Sequence, residues 1–259
     1  MKLGAGISLT NMAIVNPASR FSGGGGAPAT DPYWDNVVLY SKFNGTDAST
    51  TFVDETGLKT LAAVGTAELD TAEKVFGTAS LILPGTHDHY VSINAGTEMT
   101  FGTGDLTVEM RVKLNAFGTA GINLLDFRST NSAAPWAIDI FGPAAAEAYR
   151  NEIHFYNGTE YGSTGAGLTT GVWYAIAWTR TGGTSYLFVD GVEVGSFADS
   201  NNYTNGNHTT RIGDNWDSIV GPDGPLSGWM DELRITKGVA RYTGNYTIAT
   251  EEFPTSGPA

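Results

Sequence analysis

The chain has 259 residues, with 34 glycines, 41% apolar and 16% charged residues, and no cysteine. That composition excludes a disordered chain, which pairs low hydrophobicity with high charge. It also excludes a collagen-like repeat and any disulfide, thiolate nucleophile or zinc–thiolate site. The net charge of −13, from 14 Lys+Arg against 27 Asp+Glu, argues against a nucleic-acid partner, which needs clustered cations, and against docking on an anionic membrane.

No run of 18 apolar residues occurs, so the sequence predicts no membrane-spanning helix and no membrane insertion. Met1-Lys2-Leu3-Gly4 begins no sustained apolar stretch, and no secretory signal is expected. Residues 1–34 read as an arm and linker. Gly4–Leu9 and Met12–Val15 are apolar pieces too short to bury a face alone, and Gly23–Gly26 form a joint before Ala27-Pro28. The expectation is that residues 1–30 gain order against another chain of an assembly; fully extended, thirty residues reach about 100 Å.

From Asp31 onward the pattern becomes β, with the domain boundary placed at residue 35. Val37–Tyr40, Ser80–Leu83 and Tyr90–Ile93 are short apolar runs bounded by turn residues. Leu106–Leu114 alternates apolar and polar over its whole length, as a half-buried strand does. Ile122–Phe127, Trp136–Phe141 and Glu152–Tyr156 follow. Trp173–Arg180, Ser185–Val189 and Val192–Phe197 are separated by Gly182-Gly183 and by Asp190-Gly191, and Asp-Gly between alternating runs is a strong hairpin signal. Thr210–Gly213 and Trp229–Ile235 complete the set. Helical periodicity is confined to Ala144–Tyr149 and Val239–Tyr242. These elements predict an all-β, two-sheet antiparallel sandwich over residues 35–254 and a loop tail at 255–259.

Four stretches resemble the laminin-G-like, concanavalin A-like lectin/glucanase jelly roll. Gly171–Val194 carries a Trp strand, an Arg, a glycine turn and an aliphatic strand ending in Asp-Gly. Phe76–Leu83 and Asp105–Val112 match two further strands. Gly228–Tyr246 is similar to the closing strand and turn of such domains in tailed-bacteriophage virion proteins. The resemblance implies a non-enzymatic virion structural protein at the particle surface, a capsid decoration or a tail-fibre accessory. Its lectin-like domain would be displayed there, adhering to host-surface polysaccharide. Other virion proteins would be its partners through residues 1–30, and a homo-oligomer is expected. The rivals are a dedicated receptor-binding lectin of a tail fibre and a glycan hydrolase. Fold alone does not choose among them.

Hydrolases of this superfold place paired carboxylates on one strand in a Glu-x-Asp-x-Glu or Glu-x-Asp-x-x-Glu pattern, which is absent here. Glu109 sits alone on its strand, Asp190 and Glu193 belong to a hairpin, and Asp231 and Glu232, being adjacent, are expected on opposite faces as surface groups. No catalytic residue is therefore assigned. Sugar binding calls for aromatic platforms on loops, and the candidates are Trp136, Tyr149, Tyr161, Tyr203 and Trp216. Laminin-G-like domains often hold calcium at a rim, which takes six to eight oxygens. The candidate ligands are Asp126, Asp214, Asp217 and Asp223, with Asn131 beside the first. His87 and His89 could share a strand face, but no third ligand is evident and a polar loop is the favoured reading.

Overall fold

The computed structural model describes residues 30–118, 121–128, 136–142, 145, 150–204, 208–216 and 223–258. The first 29 residues, Tyr149, Asn131, Asp217 and nearly all of the expected helix at 144–149 lie outside these. Among these described residues seventeen strands follow in chain order. They are β1 (Val37–Ser41), β2 (Thr51–Phe52), β3 (Leu61–Val64), β4 (Glu68–Asp70), β5 (Ser80–Pro84), β6 (Tyr90–Ile93), β7 (Leu106–Ala116), β8 (Gly121–Asp126) and β9 (Ala137–Phe141), then β10 (Ile153–Tyr156), β11 (Glu160–Gly162), β12 (Trp173–Thr181), β13 (Thr184–Val189), β14 (Val192–Ala198), β15 (Thr210–Ile212), β16 (Asp223–Gly224) and β17 (Ser227–Lys237).

They form two sheets. The eight-stranded one runs β14-β13-β12-β7-β17-β5-β4, with β1 also beside β17. The nine-stranded one runs β11-β10-β9-β8-β15-β6-β3-β2, with β16 parallel to β8. The expected two-sheet antiparallel sandwich is therefore the observed fold. Alternation decides which side chains meet between the sheets. In β7, Leu106, Val108, Met110, Val112 and Leu114 join the core, while Thr107, Glu109, Arg111 and Lys113 point outward. An aromatic group fills one end, with Trp136 stacked on Phe127 at 3.8 Å and edge-on to Trp178 at 4.8 Å.

The Asp190-Gly191 turn has φ of 49° and 78°, the left-handed pair of a tight hairpin. Glycine is needed at 191 on a second ground, because a Cβ there would collide with the Tyr246 carbonyl.

Three local expectations change. Strands β2, β3, β4, β11 and β16 were not foreseen, since two to four residues are too few to show a period. Val239–Tyr242 is not helical. Its side chains are drawn flat onto the eight-stranded sheet, where Tyr242 Oη donates to Glu109 and Arg241 pairs with Asp31. Residues 31–34 belong to the body rather than to the arm. Asp31 is buried against Arg234 and Arg241, and its N–H donates to the Ser256 carbonyl at 2.8 Å.

Candidate functional site

The outer face of the eight-stranded sheet carries a dense polar row. Register sets Glu109 against Arg234 and Arg111 against Asp231 across β7 and β17. Arg234 bonds Glu109 at 2.8 Å and Asp31 at 2.9 Å, with its guanidinium 3.5 Å from the Phe253 ring centroid. The register of β17 shifts between Asp231 and Arg234, and Glu232 has φ of 53°. This bulge adds a residue, so Asp231 and Glu232 both reach groups lying over the sheet instead of facing opposite ways. Asp231 accepts from the N–H groups of Val75 and Phe76, and Glu232 from Tyr40 Oη and the Phe253 N–H.

Neither carboxylate is a surface group, which corrects the sequence expectation. Burial, opposed by these hydrogen bonds, pushes Asp231 up to about 7 and Glu232 up to about 8. The segment 238–258 seals the row: Tyr242 and Tyr246 stack at 3.6 Å, and the Ala249 carbonyl accepts from Arg111. The space left among Glu109, Arg111, Tyr242, Tyr246 and Phe253 is about 10 Å³, room for one water at most. Perturbed acids often mark active sites, but these have no access for a substrate.

The outer face of the nine-stranded sheet is different. Register aligns Tyr156, Ala137, Asp126 and Arg211 in one row across β10, β9, β8 and β15. Beside it run His154, Asp139 and Asn123, where the Asp139 carboxylate accepts from Asn123 and pairs with His154. Asp126 accepts from the Arg128 guanidinium at 2.6 Å and from the Trp216 N–H at 2.8 Å. Arg128 crosses above small Ala137 to lie 5.6 Å from the Tyr156 centroid. Arg211 lies over Tyr90 at 4.4 Å and over Trp216 at 5.6 Å. Trp216, 37% exposed, is thus held at the rim by its backbone while its indole meets solvent. Stacked guanidinium, exposed indole and half-buried tyrosines present apolar faces edged with donors, the composition that suits a sugar ring.

The predicted site residues divide accordingly. Trp216 stands at this rim. Trp136, immediately before β9, is fully buried in the core rather than presented as a platform, because Phe127, Phe155 and Trp178 pack around it. Tyr203 is also buried, its hydroxyl donating to Asp199 and its ring under Arg180. Tyr161 sits on edge strand β11, its ring stacked on Phe197 at 3.8 Å. Tyr149 lies outside the described residues.

Of the calcium candidates, Asp126 is occupied by Arg128 and Trp216. Asp214 is occupied by His87, at 3.0 Å, and by the Asp88 and Asn215 N–H groups. Asp217 lies outside the described residues, and only the backbone of Asp223 is described, in β16. Among the described residues no group of three or more His, Asp or Glu could hold a metal. His87 and His89 do not converge, since His89 bonds Thr66 instead. Sequence reasoning missed Arg128, Arg211, Tyr90 and Tyr156. The signal available for Arg211 was an outward cation between the inward residues of Thr-Arg-Ile.

Comparison with known proteins gives three results. Residues 84–241 match the laminin G type 3 family, described as the concanavalin A-like lectin/glucanases superfamily. No curated protein matches the sequence. Among solved structures, domain 4 of AbnA, a GH43 extracellular arabinanase from Geobacillus stearothermophilus in complex with arabinotriose, is 20% identical, with a TM-score of 0.57, over 79% of this chain and 94% of that one. A botulinum neurotoxin type C structure, described as dependent on interaction with two ganglioside molecules for reaching the cell interior, is 12% identical with a TM-score of 0.54. The binding domain of botulinum neurotoxin DC in complex with SialylT is 13% identical with a TM-score of 0.55. Each of these two toxin matches covers 79% of this chain but only 48% of the other. At these identities the likeness is one of fold.

Proposed function

The chain belongs to the concanavalin A-like lectin/glucanases superfamily, and from that premise we propose that it is a non-enzymatic glycan-binding component of a phage-type particle. In this reading residues 1–30 anchor the chain to other particle proteins, and the sandwich displays the outer face of its nine-stranded sheet at the virion surface. The observation that carries it is the contrast between faces. Acids that could do hydrolytic work lie sealed beneath residues 238–258, while Trp216, Arg211, Tyr90 and Tyr156 form an accessible aromatic and cationic rim. The arabinotriose-bound relative supports the choice of a glycan. The similarity of Gly228–Tyr246 to tailed-phage virion domains supports the particle setting. The reading requires no cation, because the described rim carboxylates already hold protein donors, so chelation is expected to leave binding unchanged.

A glycan array tests it. The full chain is expected to bind at least one oligosaccharide class, and Trp216→Ala to lose about 1–3 kcal/mol of that binding, the range for one stacked aromatic. Binding unchanged by Trp216→Ala would remove the rim from the account. A silent array would leave decoration of the particle as the function. Reducing-sugar release from bacterial polysaccharide would sink the non-enzymatic reading.

A further inference from the structure

The sequence contains a single Asp-Pro pair, Asp31-Pro32, and it stands at the first residues of the body. An Asp-Pro bond is a peptide linkage open to attack by its own side chain. The Asp carboxylate can close a cyclic anhydride on its own carbonyl carbon, because the two groups are held in one residue. The proline nitrogen, a tertiary amide without an N–H, then takes a proton and leaves as an amine.

Here the parts of that reaction are already in position. Oδ1 of Asp31 accepts from the Tyr33 N–H at 2.9 Å, so the carboxylate lies folded over the peptide that joins Asp31 to Pro32. The carbonyl oxygen of that peptide accepts from the Trp34 N–H at 3.1 Å, a donor placed where negative charge develops during attack. Arg234 at 2.9 Å and Arg241 at 2.7 Å hold the carboxylate still, and the Asp31 N–H is fixed on the Ser256 carbonyl. Asp31 itself is buried, whereas Pro32 and Tyr33 face the solvent that supplies a proton and a water.

The same clamp decides when the nucleophile is ionised. Burial alone would raise Asp31, but Arg241, the Tyr33 N–H and Arg234 hold it below its ordinary value. Among the described residues the charged groups bonded to it are these two arginines, and both also face Glu109 of β7. The carboxylate therefore stays ionised into the acid range in which solvent protonates the leaving nitrogen.

We propose that the Asp31–Pro32 bond is a self-cleavage site that acid opens, with the Asp31 carboxylate as nucleophile and the Trp34 N–H as donor to the attacked carbonyl. In the first step Oδ1 forms a bond to the Asp31 carbonyl carbon and the bond from that carbon to the Pro32 nitrogen breaks. The nitrogen keeps the electron pair and takes a proton from solvent. Water then opens the cyclic anhydride to the α- and β-carboxyl groups of Asp31. One water is consumed and one peptide bond is lost, with no other co-reactant. Residues 1–31 are thereby severed from the sandwich. This goes beyond the glycan-binding reading and does not depend on it.

The test holds the full chain at the lowest pH at which circular dichroism still reports the native sheets and follows its intact mass. Two products, residues 1–31 and 32–259, are expected to form about tenfold or more faster than from the same chain unfolded in urea at that pH, because unfolding removes both positioned contacts. P32A keeps the Asp31 carboxylate and its arginines but offers an ordinary amide as leaving group, and it is expected to stay intact at this bond. Cleavage no faster in the folded chain than in urea would overturn the proposal. Equal cleavage of P32A, or breakage only at some other bond, would overturn it as well.

Discussion

The two outer faces of this sandwich arise from the same alternation yet end in opposite states. On the eight-stranded sheet, outward Glu109, Arg111 and Arg234 are bonded beneath residues 238–258, and Asp231 is bonded to the N–H groups of Val75 and Phe76. On the nine-stranded sheet, outward Tyr156 and Arg211 keep partial access to solvent beside the more exposed Trp216, while Asp126 in the same row is buried. Among the described residues, what separates the faces is the exposure of the aromatic and cationic groups at the edge, not the composition of the strands. A polar row under a lid of its own chain becomes structure, whereas an indole left at the rim can meet a ligand.

The most damaging way to break the contrast is to remove a charge from the covered row. Arg234→Ala leaves buried Glu109 and Asp31 with Arg241 as the one remaining cation that the described ion pairs place beside both, and about 3 kcal/mol of unfolding free energy should vanish in urea titrations. A loss under 1 kcal/mol would mean that water reaches the row after all.

A milder intervention uses acidity. The folded protein holds Asp231 and Glu232 above the ordinary carboxylate range, so it binds protons that the unfolded chain releases. Their contribution is full below about pH 4, declines as pH climbs toward about 8, and is flat beyond. Asp31 acts in the opposite sense: burial would raise it, but Arg241, the Tyr33 N–H and Arg234 hold it low, so its stabilisation is lost at acid pH. Stability should therefore peak near pH 5. Asp231→Asn, which retains an acceptor for Val75 and Phe76, should gain on the order of 2 kcal/mol more at pH 8 than at pH 5. Melting curves that fall in parallel for both proteins across that range would contradict the assignment.

The smallest effect is expected on the other face. Trp216→Ala should leave the melting temperature almost untouched, within about 0.5 kcal/mol, because its ring is exposed and its backbone makes the bond to Asp126. A large loss of stability there would show that the rim is packing rather than a site.

Much of the frame was legible from residues alone. Leu106–Leu114 alternates so regularly that its two faces could be assigned in advance, and Asp190-Gly191 marked its hairpin. The site was less legible, for reasons of distance and register. Asp126 and Arg211 are neighbours only because β8 pairs with β15, and no local pattern reports that. Trp136 lies next to residues that read as loop, while its burial depends on Phe155 and Trp178, supplied by other strands. The adjacency of Asp231 and Glu232 implied opposite faces, and one bulge with a left-handed Glu232 undid that inference.

The bond from the Asp31 N–H to the Ser256 carbonyl has a practical consequence. Two points at opposite ends of the sequence stand shoulder to shoulder, so residues 31–256 behave geometrically like a plug-in cassette. Such a unit could be spliced into a surface turn of an unrelated scaffold without prying that turn apart, carrying its rim outward as a portable module.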